Sequence, residues 1–474
     1  MITRAVFLLG VGVLLPSVAE AQSLRYELGR RLQRTEDVWA KHADKSAKKR
    51  AFKPLTSVFA SFITGDFRGA GRNLDKTRYA ILNKTPSDDQ RWADSVMISV
   101  WPRLREVGQE TIQVDLRALY ESKVKMPENL SWRMGVAEIG KSAKFQKSKP
   151  LTRLPLRTKL ETLPKGKSLV VVEIKSADKT LVRKKYPVYV IPNLKSRLTG
   201  LEKAIEKLAQ KKKTTETETA SMLLQRLVYI KDGYILETDY PADRLLSEVE
   251  SIVQTVENGK RYYNKTRKGQ FWLRVVTPKG RHDVRLFVPE SAKSGKPVPM
   301  VVALHGVGGS ENIFFDAYNR GELVRLCKRR GWMLMAPLTT GFSFTTPTPE
   351  IIDSLSHRYP IDRTKVFVLG HSMGAGQAIA VAQSHPERFA GVVALGGSRP
   401  VTEVKKIQAI PFLIGVGDKD FALGGAKRLA KDLKDGGVNS VGLHIYPNIE
   451  HIMVVIESYP DMMTFFDNIV RGKE

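Results

Sequence analysis

Apolar positions recur along this chain in distinct regimes, and each regime predicts a different kind of element. From 22 to 100 the spacing is helical, with Leu24, Leu28, Leu32 and Trp39 as the first apolar points in a charge-rich background. Between 101 and 195 the pattern shortens. Ile112 to Leu116, Leu169 to Ile174 and Val188 to Ile191 are β-prone runs separated by Pro, Gly and Lys, which predicts a small sandwich-like module. Helical spacing returns over 196–265 as a connector, with Lys211 to Thr215 as an exposed turn. There Leu245, Val249, Ile252, Val253 and Val256 share one stripe after Pro241, and Gly259 stops it. From 266 to 474 strands and helices alternate. Phe271 to Thr277 and Asp283 to Val288 form a hairpin-like pair, and Met300 to Leu304, Val366 to Leu369 and Phe412 to Gly415 are among the strands that follow. Such alternation builds an α/β domain, a mostly parallel sheet with helices on both faces, and its ligands bind at the carboxyl ends of the strands.

Composition changes this picture in a few places. Arg4, the apolar run Ala5 to Leu15 and Ala19-Glu20-Ala21 make residues 1–21 a signal-peptide pattern, too short to span a bilayer, so export to the periplasm or beyond is expected. Cys327 is the single cysteine, which excludes an internal disulfide, and its amphipathic surroundings predict a buried thiol. The eight histidines form no metal-binding cluster, so no metal is expected. The net charge of +28 is unevenly spread: 58 of the 77 basic and 32 of the 49 acidic residues fall in residues 1–300. A basic front half suits an anionic polysaccharide or a membrane surface; nucleic acid is not expected of an exported chain without a nucleic-acid motif.

Candidate chemistry lies in the last segment. Gly370-His371-Ser372-Met373-Gly374 joins the apolar run Val366 to Leu369 to the helical run Ala375 to Ala382, a strand, a tight turn and a helix around one serine. A serine needs a histidine to take its proton, and the histidine needs a carboxylate to hold its tautomer. Gly417-Asp418-Lys419-Asp420 follows one strand and Asn448-Ile449-Glu450-His451 the last one. Asp418 and Asp420 both compete for the acid role, with Asp418 as the alternative to Asp420. Upstream, Leu304-His305-Gly306-Val307-Gly308-Gly309 leaves a strand as a glycine-rich loop.

In this order the segment from Gln270 to Glu474 resembles the α/β-hydrolase family. The resemblance implies Ser372 as nucleophile, His451 as base, Asp420 as its partner, and the amides of Val307 and Met373 as an oxyanion hole, with no cofactor. It gives His305, His371 and His385 structural places. Tyr359 to Val366 and Ser384 to Phe389 are similar to exported esterases of the polyhydroxybutyrate-depolymerase and feruloyl-esterase type. The expected function is cleavage of a carboxylic ester, polymeric, glycan-linked or small, through an acyl-enzyme. Two alternatives stand beside it: a prolyl-oligopeptidase-like peptidase, and a basic surface-binding or polysaccharide-binding protein with an accessory or inactive hydrolase domain. Phe314, Phe315, Phe342, Phe344 and Phe421 are candidates for an acyl or aryl pocket.

Overall fold

The computed structural model describes residues 18–339 and 346–472. Residues 1–17 of the leader pattern, with Phe342 and Phe344, lie outside the described residues. The chain starts with helices α1 (Val18–His42), α2 (Lys45–Ile63) and α3 (Phe67–Leu82). Asp44 and Asp66 cap α2 and α3 by accepting the amides of Ala47 and Gly69. A short helix α4 (Asp88–Asp94) leads into two sheets. One is antiparallel in the order β1 (Val96–Trp101), β3 (Ile112–Ala118), β7 (Leu156–Leu160). The other runs β2 (Leu104–Glu106), β9 (Lys179–Ile191), β8 (Gly166–Ser176), β4 (Leu130–Glu138), β5 (Lys144–Phe145), with β6 (Lys149–Pro150) also on β4. Ile98, Val114 and Leu116 of the first sheet share a core with Trp132, Val172 and Val188 of the second, so the two pack face to face.

Three helices follow, α5 (Leu194–Lys211), α6 (Thr215–Lys231) and α7 (Ala242–Glu257). Thr215, expected in the exposed turn, is instead buried at the start of α6. The reason is an edge strand. The hydroxyls of Thr215 and Thr219 accept the amides of Val276 and Arg274 on β10 (Gly269–Thr277), which end the sheet without a further strand.

That sheet has eight strands in the order β10, β11 (Gly280–Val288), β13 (Met333–Pro337), β12 (Val298–Leu304), β14 (Ile361–His371), β15 (Gly391–Leu395), β16 (Phe412–Gly417), β17 (Val441–Tyr446). It is parallel from β13 to β17 and antiparallel at the β10–β11 end. Period-two alternation sends Val302 and Leu304 of β12 into one core, beneath α5–α7 and α11 (Met373–Ser384), and Val301 and Ala303 into the other. The remaining helices are α8 (Ile313–Asp316), α9 (Tyr318–Arg330), α10 (Thr348–Ser356), α12 (Leu423–Asp435) and α13 (Val454–Val470). None of the described helices is long and apolar enough to cross a membrane.

The second of those cores also contains Trp39, Ala51 and Leu55. The N-terminal helices are therefore packed onto the α/β sheet. Their charge is partly internal. Arg31, buried on α1, pairs with Glu27 at 2.8 Å and with Asp75, and Lys184 of β9 reaches the same Glu27 at 2.7 Å. Burial opposes the Glu27 charge, but Lys184 and Arg31 outweigh it and hold the carboxyl at about 2. Basic residues that a sequence reading assigns to a partner surface thus tie α1 to α3 and to the sandwich.

Candidate active site

The motif serine is at a strand-to-helix elbow. β14 ends at His371, α11 begins at Met373, and Ser372 between them has φ 57° and ψ −119°. A side chain other than glycine is strained there, and the strain lifts the hydroxyl clear of strand and helix. The glycine-rich loop after β12 lies against this elbow: a Cβ built on Gly306 would be 3.0 Å from Ser372 Cβ and 3.3 Å from the His371 carbonyl. Val307 of that loop lines the same cavity as Ser372. Met373 supplies the first amide of α11, which no turn of the helix can satisfy. His305 is held inside the loop, its Nδ1 donating to the Gly306 carbonyl (2.8 Å) and its Nε2 accepting from the Thr339 amide (3.1 Å).

Asp420 follows β16 and His451 follows β17, so both arrive at the carboxyl edge beside Ser372. His451 Nδ1 is 3.1 Å from each Asp420 oxygen, and both residues are buried. Asp418, the competing acid, turns elsewhere: its Oδ1 accepts the Asn448 amide at 2.8 Å and braces the loop that carries His451. With Nδ1 donating to a carboxylate, Nε2 is the basic nitrogen. It is buried and has no hydrogen-bond partner, and it belongs to the cavity that Ser372 lines. We expect Asp420→Asn to lower kcat toward an activated ester by about 10³–10⁴-fold, because the amide no longer fixes the imidazole tautomer. Asp418→Asn should cost less than about tenfold, since it disturbs only a brace. Equal losses in steady-state assays would refute that division of roles.

His371 does more than fill space. Its Nε2 donates to the His451 carbonyl at 2.8 Å, and the Tyr318 hydroxyl donates to its Nδ1 at 2.9 Å. Burial, reinforced by His451 nearby, depresses His371 to about 3, so it stays neutral and keeps that donor–acceptor pattern. Tyr318 in turn begins a run of left-handed residues, Tyr318, Asn319, Arg320 and Gly321, with φ from 49° to 69°. Each non-glycine residue there costs about 1–2 kcal/mol. Helix α1 holds the run: Glu36 accepts the amides of Tyr318 (3.0 Å) and Asn319 (3.1 Å), and Asp37 takes the Arg320 guanidinium in a two-pronged pair at 2.6 Å. A chain of contacts therefore joins α1 to the backbone of His451.

Burial raises the Glu36 carboxyl from 4.5 to about 7, against the two amides that favour its charge. A raised carboxyl binds its proton more tightly folded than unfolded, so its contribution is complete below pH 4.5 and is lost as pH rises through 7. Glu36→Gln has no proton to lose. Between these limits the unfolding free energy should change in favour of the variant by up to about 3 kcal/mol. Urea unfolding of both proteins across the range checks this; a difference independent of pH would refute it.

Two phenylalanines from α2 complete the site, and neither is marked by the sequence. Phe59 and the exposed Phe421 stack on one another with centroids 5.2 Å apart, and their rings lie 4.4 and 4.5 Å from that of His451. Phe62, one turn on, covers the glycine-rich loop after β12 so closely that a Cβ on Gly308 (φ 73°) would be 2.6 Å from its ring. Arg25 of α1 donates to the Gly308 carbonyl at 2.6 Å. Of the aromatic candidates, Phe421 does line the cavity; Phe314 and Phe315 are packed in the sheet core because α8 turns them inward. Cys327 is buried and its thiol is pushed up to about 12 by burial, which leaves it without nucleophilic character at neutral pH. Among the described residues no group of histidine, cysteine and carboxylate side chains could hold a metal ion.

A protein-family match agrees with this architecture. Residues 299–434 match the family described as alpha/beta hydrolase fold. A candidate esterase, NocK of Nocardia uniformis subsp. tsuyamanensis, is 29% identical over 141 residues, which cover 26% of this chain and 40% of that protein. The match thus spans less than half the length of that relative. Among solved structures, a ferulic acid esterase aligns over 43% of this chain and 99% of its own at 15% identity and a TM-score of 0.37. A thermostable esterase aligns over 79% and 99% at 16% identity and a TM-score of 0.40. Sheet order, the serine elbow and the match over residues 299–434 agree that the C-terminal part of this chain has the alpha/beta hydrolase fold.

Proposed function

We propose that the chain is a serine hydrolase that cleaves carboxylic esters. The observation that carries this reading is the pairing, in one cavity, of a strained elbow serine with a buried histidine whose Nδ1 is held by a carboxylate and whose Nε2 is free. Ser372 attacks the ester carbonyl as His451 Nε2 takes its proton. The amides of Val307 and Met373 receive the developing oxyanion, each worth a few kcal/mol in such sites. His451 then protonates the leaving alcohol, and Asp420 stabilises the imidazolium. Water, activated by the same nitrogen, releases the acid and restores the serine.

The unmade bond between Ser372 and His451 Nε2 is compatible with this cycle, because such contacts tighten when substrate is bound. Similarity over 141 residues to a candidate esterase supports ester over peptide substrates. The leader pattern in residues 1–21 supports action outside the cytoplasm. A fluorophosphonate should label the protein once, on the tryptic peptide that contains Ser372, with loss of esterase activity in proportion to labelling. Labelling elsewhere, or full activity after labelling of Ser372, would overturn the assignment.

A further inference from the structure

The cavity that holds Ser372 and His451 has a volume of about 440 Å³, and much of its wall does not come from the α/β domain. Leu28 of α1, Val58, Phe59 and Phe62 of α2, and Ala70 and Leu74 of α3 line it together with the catalytic residues. Leu28, Val58, Ala70 and Leu74 form a small apolar cluster of their own, with Phe62 and with Ile452, the neighbour of His451. Hydrophobic continuity therefore runs from the catalytic loop into the N-terminal helices.

The polar groups on the opposite wall are committed to one another. Glu237 accepts from Asn312 at 2.7 Å and from Ser310, Asp316 accepts from Arg285 (2.6 Å) and Thr238 (2.8 Å), and Arg30 bonds Tyr26 at 3.1 Å and faces Asp239 at 3.7 Å. What remains open to a ligand is chiefly carbon. A cavity wall of this kind gives water few partners and favours an apolar occupant. At roughly 30 Å³ per heavy atom, a liquid-like share, the space beyond an ester group takes on the order of ten atoms.

We propose that α1–α3 form the chain-binding part of the active site, and that the substrate is an ester bearing one medium-length apolar chain, of about six to ten carbons. The inference rests on the serine-hydrolase reading of the same site. Each methylene buried in such a wall can raise kcat/KM by up to about fourfold. The chain can belong to the acid or to the alcohol, and two substrate series separate these sources: p-nitrophenyl esters from acetate to decanoate, and alkyl acetates from ethyl to decyl.

In at least one series the full-length protein should show kcat/KM rising tenfold or more up to about eight carbons, and the series that rises identifies the side that carries the chain. Ala70 is buried and lines the cavity. Ala70→Phe fills its end and should reduce the eight-carbon to two-carbon ratio at least tenfold. Binding supplies a readout without chemistry: Ser372→Ala should bind octanoate or 1-octanol in calorimetry, and Ser372→Ala carrying Ala70→Phe should not. Flat profiles in both series, with neither compound bound by Ser372→Ala, would overturn the proposal while esterase activity stood. Should the wild-type protein cleave no ester at all, the hydrolase reading fails, and octanoate or octanol binding alone decides whether the chain pocket exists. An Ala70→Phe protein that does not fold leaves that decision to the same binding measurement.

Discussion

Ser372→Ala should lower kcat toward p-nitrophenyl acetate by about 10⁵–10⁶-fold, to the small residue that an oxyanion hole and binding alone provide. The size of the loss follows from the arrangement around the serine. His451 can act as a base only on a proton presented to Nε2, and Ser372 is the hydroxyl that the elbow sends into the shared cavity. The thermal midpoint should move little. Ser372 is only partly buried, and alanine occupies the same strained backbone position without a polar atom to satisfy. Steady-state hydrolysis and thermal unfolding of the two proteins settle the matter: a variant within tenfold of wild type would mean that another residue attacks the ester.

Gly374→Ala should be the most destabilising of the small changes at the site, by more than about 3 kcal/mol, with a loss of two orders of magnitude or more in kcat/KM. Space, rather than an unusual backbone angle, is the reason. A Cβ at Gly374 would be 2.1 Å from the Leu304 carbonyl oxygen and 2.9 Å from that of His305, both main-chain atoms of β12 and the oxyanion loop. Neither can rotate away as a side chain would. Relief requires that the first turn of α11 separate from β12, and this moves Met373 and Ser372 away from Val307. Gly370 is under the same constraint from the other side, since a Cβ there would meet the Gly374 carbonyl at under 2 Å. Urea titration and ester kinetics on Gly374→Ala check both effects; a midpoint and a rate near wild type would show that the elbow tolerates the extra atom.

The elbow was legible because its signal is local. A buried strand, two glycines about a serine and a helical run stand within a few residues of each other, and the strand-end loops with Asp420 and His451 could be placed by order alone. Everything that comes to the site from afar was not legible. Leu55, Val58, Phe59 and Phe62 recur at helical spacing and announce a buried face, but periodicity does not say what that face covers. Glu36 and Asp37 look like ordinary charges on a polar helix until the left-handed run at Tyr318 is known to need two acceptors and a counter-charge. His371 passed for a structural residue because its partner, the His451 carbonyl, is distant in sequence. Composition likewise counts Arg31 and Lys184 in the basic excess of the front half without telling that these two meet a carboxylate inside the fold. Phe314 and Phe315 show the converse: closeness in sequence to the glycine-rich loop makes them pocket candidates, and α8 turns them into the core.

The three helices over the cavity also set an order of events in the life of the chain. α1–α3 leave the ribosome well before β17 and the loop that carries His451. Trp39 cannot form its hydrogen bond to Glu457 until α13 has been made, nor Glu36 support Tyr318 until α9 has. Contacts of such sequence separation form slowly. The nascent protein therefore carries α1–α3 before the sheet they cover has been made, and the cavity beside Ser372 gains its apolar wall only once those helices have met the His451 loop.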